Sequence, residues 1–312
     1  MKLHSMPILI AFMFIFVSDL TKPIYSQINI KTMYFIEDEI ITNIDIKNEF
    51  RYLVAVNSQF SDLDDNEALK IATKSLIEQT IKKIELKKYF NFGQNYEFLD
   101  KIILSNYKKI GLNNKNEISD YFKEFDLDYE FIQKKSEIEQ LWKEFIIQKF
   151  ESKVNIDEKA LVKKIKSSQK EIISYNLYEI LFQLKENENL DEKYKSIKND
   201  VMKNGFEISA NKYSLASTAQ DGGKLGWVDD FQLSKSINKE LSKIKIEEIS
   251  KPIRVSSGFL ILKYSETKKK DKSLNVNKEL IKLKEFERNK QLNSLANIYY
   301  NKLLINLNVE KN

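Results

Sequence analysis

Eight consecutive residues, Gln220-Asp221-Gly222-Gly223-Lys224-Leu225-Gly226-Trp227, hold three of the chain's seven glycines. Gly205 and Gly258 lie on either side. Glycine concentrated in a lysine-rich, helix-prone chain marks backbone that turns with positive φ or passes close to another group. One chemistry for such a loop is a phosphate cradle. The lysine placement and the strand–loop–helix context that a phosphate loop needs are missing here, and neither GxxxxGK[ST] nor GxGxxG occurs. The loop reads as a geometric requirement of a fold.

A second constraint comes from subtraction. The only histidine is His4, and the chain has no cysteine. Once the N-terminal segment is set aside, nothing is left for Ser-His-Asp or Cys-His catalysis. Zinc sites built on thiolate or imidazole go with them. Carboxylate-only metal sites stay open, but no calcium-loop pattern is present, so neither metal nor cofactor is expected. That N-terminal segment reads as a secretory signal over residues 1–26. Lys2 gives a positive start, Pro7 to Val17 is an apolar run too short to span a bilayer stably, and Ile24-Tyr25-Ser26 offers a small residue for cleavage. An uncleaved membrane anchor is the competing reading. Without cysteine, disulfides and lipid attachment through an N-terminal Cys are excluded.

Composition supports ordered domains. With 42% hydrophobic and 12% aromatic residues in 312, the chain can bury two cores. Lys+Arg 51 against Asp+Glu 46 are interleaved and leave a net charge of only +5, so nucleic acid is not an expected partner. The one dense basic run, Lys268-Lys269-Lys270-Asp271-Lys272, reads as a solvated linker.

The elements that would position any site follow from periodicity. Residues 28–41 look like a short hairpin with its tip at Glu37-Asp38-Glu39. Thr42 and Asp45 form a capping-box signal for a helix to Asn57. Apolar residues at Leu69, Ala72, Leu76, Ile77, Ile81, Ile84 and Leu86 predict a long helix over 66–90, ended by Gly93. Further helices are expected over 97–110, 115–125, 128–152 and 157–170, with Asp126 and Asp157 as N-caps. The apolar stripes of this helical region are either core or the lining of a groove for a client chain. From residue 172 the pattern changes to strand (172–184), helix (190–204), short helix (206–213), glycine loop, helix (231–244) and strand-turn-strand (253–264). That order fits a compact α+β domain. Residues 277–304 are helical again, and their apolar positions need a partner surface, for which the N-terminal helices are the candidate.

With these residues in view, the chain resembles a known family. Tyr175-Asn-Leu-Tyr-Glu-Ile-Leu-Phe, the Gly222-Gly-Lys-Leu-Gly-Trp loop and Ile249-Ser-Lys-Pro-Ile-Arg-Val-Ser-Ser-Gly-Phe-Leu-Ile-Leu-Lys-Tyr look like the parvulin (PpiC, rotamase) domain of peptidyl-prolyl isomerases. The strand-turn-helix start over 30–57 and the closing Tyr299-Tyr-Asn-Lys-Leu-Leu look like SurA-type periplasmic chaperones. The resemblance implies an α+β fold class. An all-α SurA-like N-terminal domain (27–170) would be completed by a C-terminal helix (268–312, with its linker), and a parvulin domain (171–267) would be inserted between them. It also implies a periplasmic, ATP-independent folding factor whose partners are unfolded outer-membrane or exported polypeptides.

Parvulin catalysis speeds rotation about an X–Pro bond, whose barrier is about 18–20 kcal/mol. The resemblance places the family's first-strand histidine at Glu179, its Cys or Asp at Ala216 and its last-strand histidine at Leu260. All three positions depart from the pattern. Leu233 and Ile237 stand where the family puts Met or Leu and Phe, so an apolar cleft survives, with Trp227 and Phe259 packing behind it. Trp227 reads as core packing rather than a client contact, and Leu233 and Ile237 also fit plain helix core. Glu179 is either a solvated strand residue or a catalytic substitute. Tyr213 offers its hydroxyl to the groove or to a structural bond. Two expectations follow: a chaperone whose parvulin domain mainly recognises clients, or an active isomerase that relies on the apolar cleft.

Overall fold

The structure, a computed structural model, describes residues 29–94, 96–167, 171–271 and 276–312. The expected signal segment, with His4, lies outside them. Contacts divide the chain into residues 1–30 and 31–312, and the second unit carries every element that follows.

Strands β1 (Thr32–Ile36) and β2 (Glu39–Thr42) form the expected hairpin, turned by Glu37 at φ 49°. Thr42 then caps α1 (Asn43–Val56), with the reciprocal Asp45 bond of a full capping box. α2 (Asp65–Leu86), α3 (Tyr96–Tyr107), α4 (Lys115–Lys123), α5 (Tyr129–Phe150) and α6 (Glu158–Ser167) complete the first helical stretch. Asp157 caps α6 by accepting from the Ala160 amide. Asp126 does not cap α5: it sits at φ 55°, and Asp128 accepts from Phe131 N instead. Gly93 does not end α2 either. The helix stops at Leu86, and Gly93 N donates to Glu137 on α5.

The insert begins with β3 (Glu171–Phe182), followed by α7 (Leu190–Asn204) and α8 (Phe206–Tyr213). The glycine-rich stretch is not only a loop, because its second half is strand β4 (Lys224–Asp229). Only a short turn at Asp230–Gln232 and α9 (Lys235–Leu241) occupy the region expected to be one helix over 231–244. β5 (Ile253–Val255) and β6 (Gly258–Asp271) close an antiparallel sheet of order β4-β3-β6-β5. β6 pairs with β3 from Phe182↔Phe259 to Glu171↔Asp271. The lysine run therefore belongs to a strand up to Asp271. Its side chains at Lys268 and Lys269 are solvated as expected, but β3 continues alongside and takes its backbone hydrogen bonds, so it is no linker there.

Two glycines are required by close approach. A Cβ on Gly223 (φ 78°) would lie 2.3 Å from the Glu179 carbonyl, and one on Gly258 (φ 138°) would lie 2.4 Å from that of Phe182. Both fix loops against β3.

α10 (Val276–Asn306) returns to the helical body, and β7 (Val309–Lys311) adds a third strand beside β1, so the body is not all-α. The distal half of α10 packs Leu292 and Ala296 against Trp142, Phe145 and Phe150 of α5. Its proximal Leu283 joins Leu161 and Ile165 of α6 with Ile172 and Phe231 of the insert. A second attachment runs through α8, where Ile208 is buried among Phe60, Ile71 and Ala72 of the body. Around it, Lys74 of α2 donates to the carbonyls of Asn211, Lys212 and Ser214 at 2.9–3.1 Å, and Glu67 binds Lys212 and Lys203. Cationic Lys74 suits the C-terminal end of α8, where carbonyls lack intrahelical partners.

Candidate proline groove and adjoining crevice

Alternation along β3 and β6 sorts the insert into two cores. On one face, Leu177, Leu181, Leu260 and Leu262 meet Val228, Leu233, Leu241, Ile253 and Ala216, with Ile237 and Leu215 packed alongside. On the other, Ile180, Phe182 and Ile261 meet Ile197, Phe206 and Ala210 of α7 and α8. The first face is the candidate groove. It brings together four of the residues expected there: Ala216, Leu233, Ile237 and Leu260.

Glu179 falls between Leu177 and Leu181, so its side chain shares their face. The Thr218 hydroxyl donates to Glu179 Oε1 at 3.0 Å, and the Glu179 amide donates to Gly223 O at 2.7 Å. Burial pushes its carboxyl up to about 7, partly offset by the Thr218 bond. The expected polar trio is thus a single carboxyl beside Ala216 and Leu260, which carry no side-chain donor or acceptor.

Two expected residues lie elsewhere. Tyr213 belongs to the opposite core, with the ammonium groups of Lys212 and Lys193 at 5.1 and 5.9 Å from its ring centroid. Phe259 also faces that side, stacked on Phe182 with centroids 5.7 Å apart. Its neighbour Leu260 takes the groove face, because successive strand residues point to opposite sides. Trp227 is not core: β4 is an edge strand, its Val228 points inward, and Trp227 stays 41% exposed under the Lys268 ammonium, 3.8 Å from its ring.

A crevice of about 600 Å³ opens where the groove meets the helical body. Leu69 and Ile77 of α2, Trp142 of α5, and Tyr300 and Leu304 of α10 supply its apolar lining. Residues 214–217 supply the insert's wall. Leu215 and Ala216 belong to both features, so crevice and groove share one boundary. Lys82 crosses the crevice wall paired to Glu78 at 2.9 Å and Glu139 at 3.0 Å, and Lys70, Lys74 and Lys311 also line it beside the apolar and amide groups. Sequence reasoning had Leu69 and Ile77 on an apolar stripe, but only the packing shows that Leu69 remains 48% exposed. Thr218 carried no sequence signal, because its role depends on a turn that folds beside β3. Among the described residues, no cluster of acidic, His or Cys side chains is arranged to hold a metal ion, and no helix is long and apolar enough to cross a membrane.

Comparison with known proteins points to the same part of the chain. Residues 178–266 match the PPIC-type PPIASE domain family (rotamase). The chain is 36% identical to the foldase protein PrsA of Bacillus subtilis over 66 residues, 21% of this chain and 23% of that protein. It is 30% identical to the chaperone SurA of Legionella pneumophila over 78 residues, 25% of this chain and 18% of that protein. These matches span less than a quarter of either relative's length. A longer match, 25% identical over 242 residues, covers 73% of this chain and 71% of the foldase protein PrsA of Staphylococcus epidermidis. By this resemblance, residues 178–266 are a PPIC-type peptidyl-prolyl isomerase domain, carried in a chain similar to the SurA chaperones and PrsA foldases.

Proposed function

We propose that the chain is an extracytoplasmic, ATP-independent chaperone that holds unfolded exported polypeptides, outer-membrane proteins of the periplasm among them. The parvulin insert serves it mainly as an apolar recognition wall. The observation that carries this reading is the crevice of about 600 Å³, lined from both the helical body and the insert. An extended apolar segment seated there would bury Leu69, Leu304 and Leu215 against it, at about 25 cal/mol per Å² of apolar surface. Its backbone would find partners in Asn66 and Asn297, which also line the crevice. Aggregation of an unfolded porin, measured with and without a several-fold excess of the mature chain, tests this. Suppression is expected, and Leu69→Asp should weaken it about tenfold while leaving the fold intact. Absence of suppression by the parent protein rules the reading out.

A second reading, that the insert is an active isomerase, is favoured by one observation. Leu233, Ile237 and Ala216 keep the groove's apolar wall contiguous. Rotation about a prolyl amide breaks no covalent bond, so shape and desolvation can contribute without an acid–base pair. Proline-limited refolding measures it, with acceleration expected from the parent chain.

A further inference from the structure

Among the residues that line the groove face, Glu179 stands out as an acid without a cation. Among the described residues, most buried carboxylates are paired. Glu49 has Lys135 at 2.8 Å and the Ser75 hydroxyl at 2.5 Å, and Glu78 has Lys82. Among the described residues, no ion pair reaches Glu179. Thr218 occupies one carboxyl oxygen, and no hydrogen bond is made to the other. The titratable groups around it are few. Tyr175 and Tyr264 face the same core from β3 and β6. Asp221 and Lys224 flank the adjoining turn, and Lys235, Lys239 and Glu240 lie on α9. Lys74 and Glu78 of α2 face the neighbouring crevice. Lys263, on the next strand, points to the opposite core and binds Glu247 at 2.8 Å. A carboxylate left ionised in such a place is costly, whereas the neutral acid keeps a donor and an acceptor.

We propose that Glu179 acts in the groove as a neutral carboxylic acid, donating a hydrogen bond to the nitrogen of the prolyl amide as it twists, while Thr218 holds its other oxygen. This rests on the reading of the insert as a prolyl-bond site. A planar amide shares its nitrogen lone pair with the carbonyl, and that resonance is the rotational barrier. At the twisted geometry the lone pair returns to nitrogen and accepts a hydrogen bond that the planar substrate cannot. Such a bond forms only in the transition state, so it lowers the barrier. The proton stays on Glu179, and no bond is made or broken. An acid kept neutral by an apolar site is a known donor arrangement, and the upward shift of this carboxyl fits it. The side chain thus replaces an imidazole donor with a group that donates only while protonated.

The test is the kcat/KM of proline isomerisation on a short peptide, from about pH 5.5 to about pH 8.5, for the full chain and two variants. Wild type should lose about tenfold or more as pH rises through neutrality, where the acid ionises. Glu179→Gln keeps an N–H donor, so it should stay within about threefold of wild type at low pH and be flat with pH. Glu179→Leu should lose about tenfold or more at low pH. Carbon-13 titration of the Glu179 carboxyl should place its midpoint near neutrality. A flat wild-type profile, an unimpaired Glu179→Leu, a carboxyl midpoint in the ordinary acid range, or no isomerisation at low pH each overturns the proposal. Porin aggregation should be insensitive to both variants. Suppression without isomerisation therefore sinks this inference alone. A pH-dependent isomerase that fails to suppress aggregation sinks the chaperone reading alone.

Discussion

The groove and the crevice share Leu215 and Ala216, yet they have opposite characters. The groove's wall is packed: Leu233, Leu260 and Ala216 are each less than a tenth exposed and belong to one core, with Ile237 and Leu215 half-buried at its edge. The crevice is open, with Leu69 and Leu304 almost half exposed and Lys82 on its wall paired to Glu78 and Glu139. An apolar residue that completes a core stabilises the fold. An apolar residue left in water stabilises nothing until a ligand covers it. The difference separates a wall that also keeps the insert folded from a face whose apolar residues add nothing to the fold.

That separation can be broken from several directions. The largest effect is expected at Gly223. Gly223→Val places a Cβ against the Glu179 carbonyl in a left-handed backbone, and should cost more than about 4 kcal/mol. Thermal or denaturant unfolding would report it as loss of the insert's cooperative transition. Next comes a matched pair of truncations. Leu233→Ala should lower stability by about 2–4 kcal/mol, while Leu304→Ala, at the crevice, should stay within about 0.5 kcal/mol. Equal losses in urea titrations would erase the distinction between the two regions.

A smaller effect than the core truncation concerns how the insert is fastened. Lys212 and Lys203 hold the Glu67 carboxyl down at about 2. A carboxyl depressed in the folded state stabilises fully above its unfolded value, near 4.3, and loses that contribution as pH falls toward 2. Glu67→Gln should therefore cost about 1–2 kcal/mol at neutral pH and almost nothing near about pH 2. Stability curves at several pH values check the sign.

How much of this the sequence discloses depends on what each residue answers to. Asn189 and Gly205 bound α7, and Thr42 with Asp45 starts α1, because caps are local chemistry written in local residues. β4 was hidden since Gly222, Gly223 and Gly226 mimic a loop, and its strand character comes only from the neighbouring edge of β3. The lysines ending β6 were hidden likewise, because pairing rather than propensity makes them strand. At the site, Ala216, Leu233, Ile237 and Leu260 are legible through the resemblance to the parvulin domain, which supplies their positions. Tyr213 and Phe259 were misplaced because strand and helix parity, which sets the face, cannot be read from a motif alone. Thr218 and the crevice depend on contacts between distant segments, and no local pattern encodes them.

The pairing of Glu171 with Asp271 has a further consequence. Opposed residues of antiparallel strands lie only about 5 Å apart. The insert therefore enters and leaves at nearly one point. A deletion of 171–271 could be rejoined by a short turn without re-threading any helix, and the reverse event would place a new module at the same spot. The helical body is in this sense a socket. Such a plug can be exchanged or removed while the frame keeps its topology.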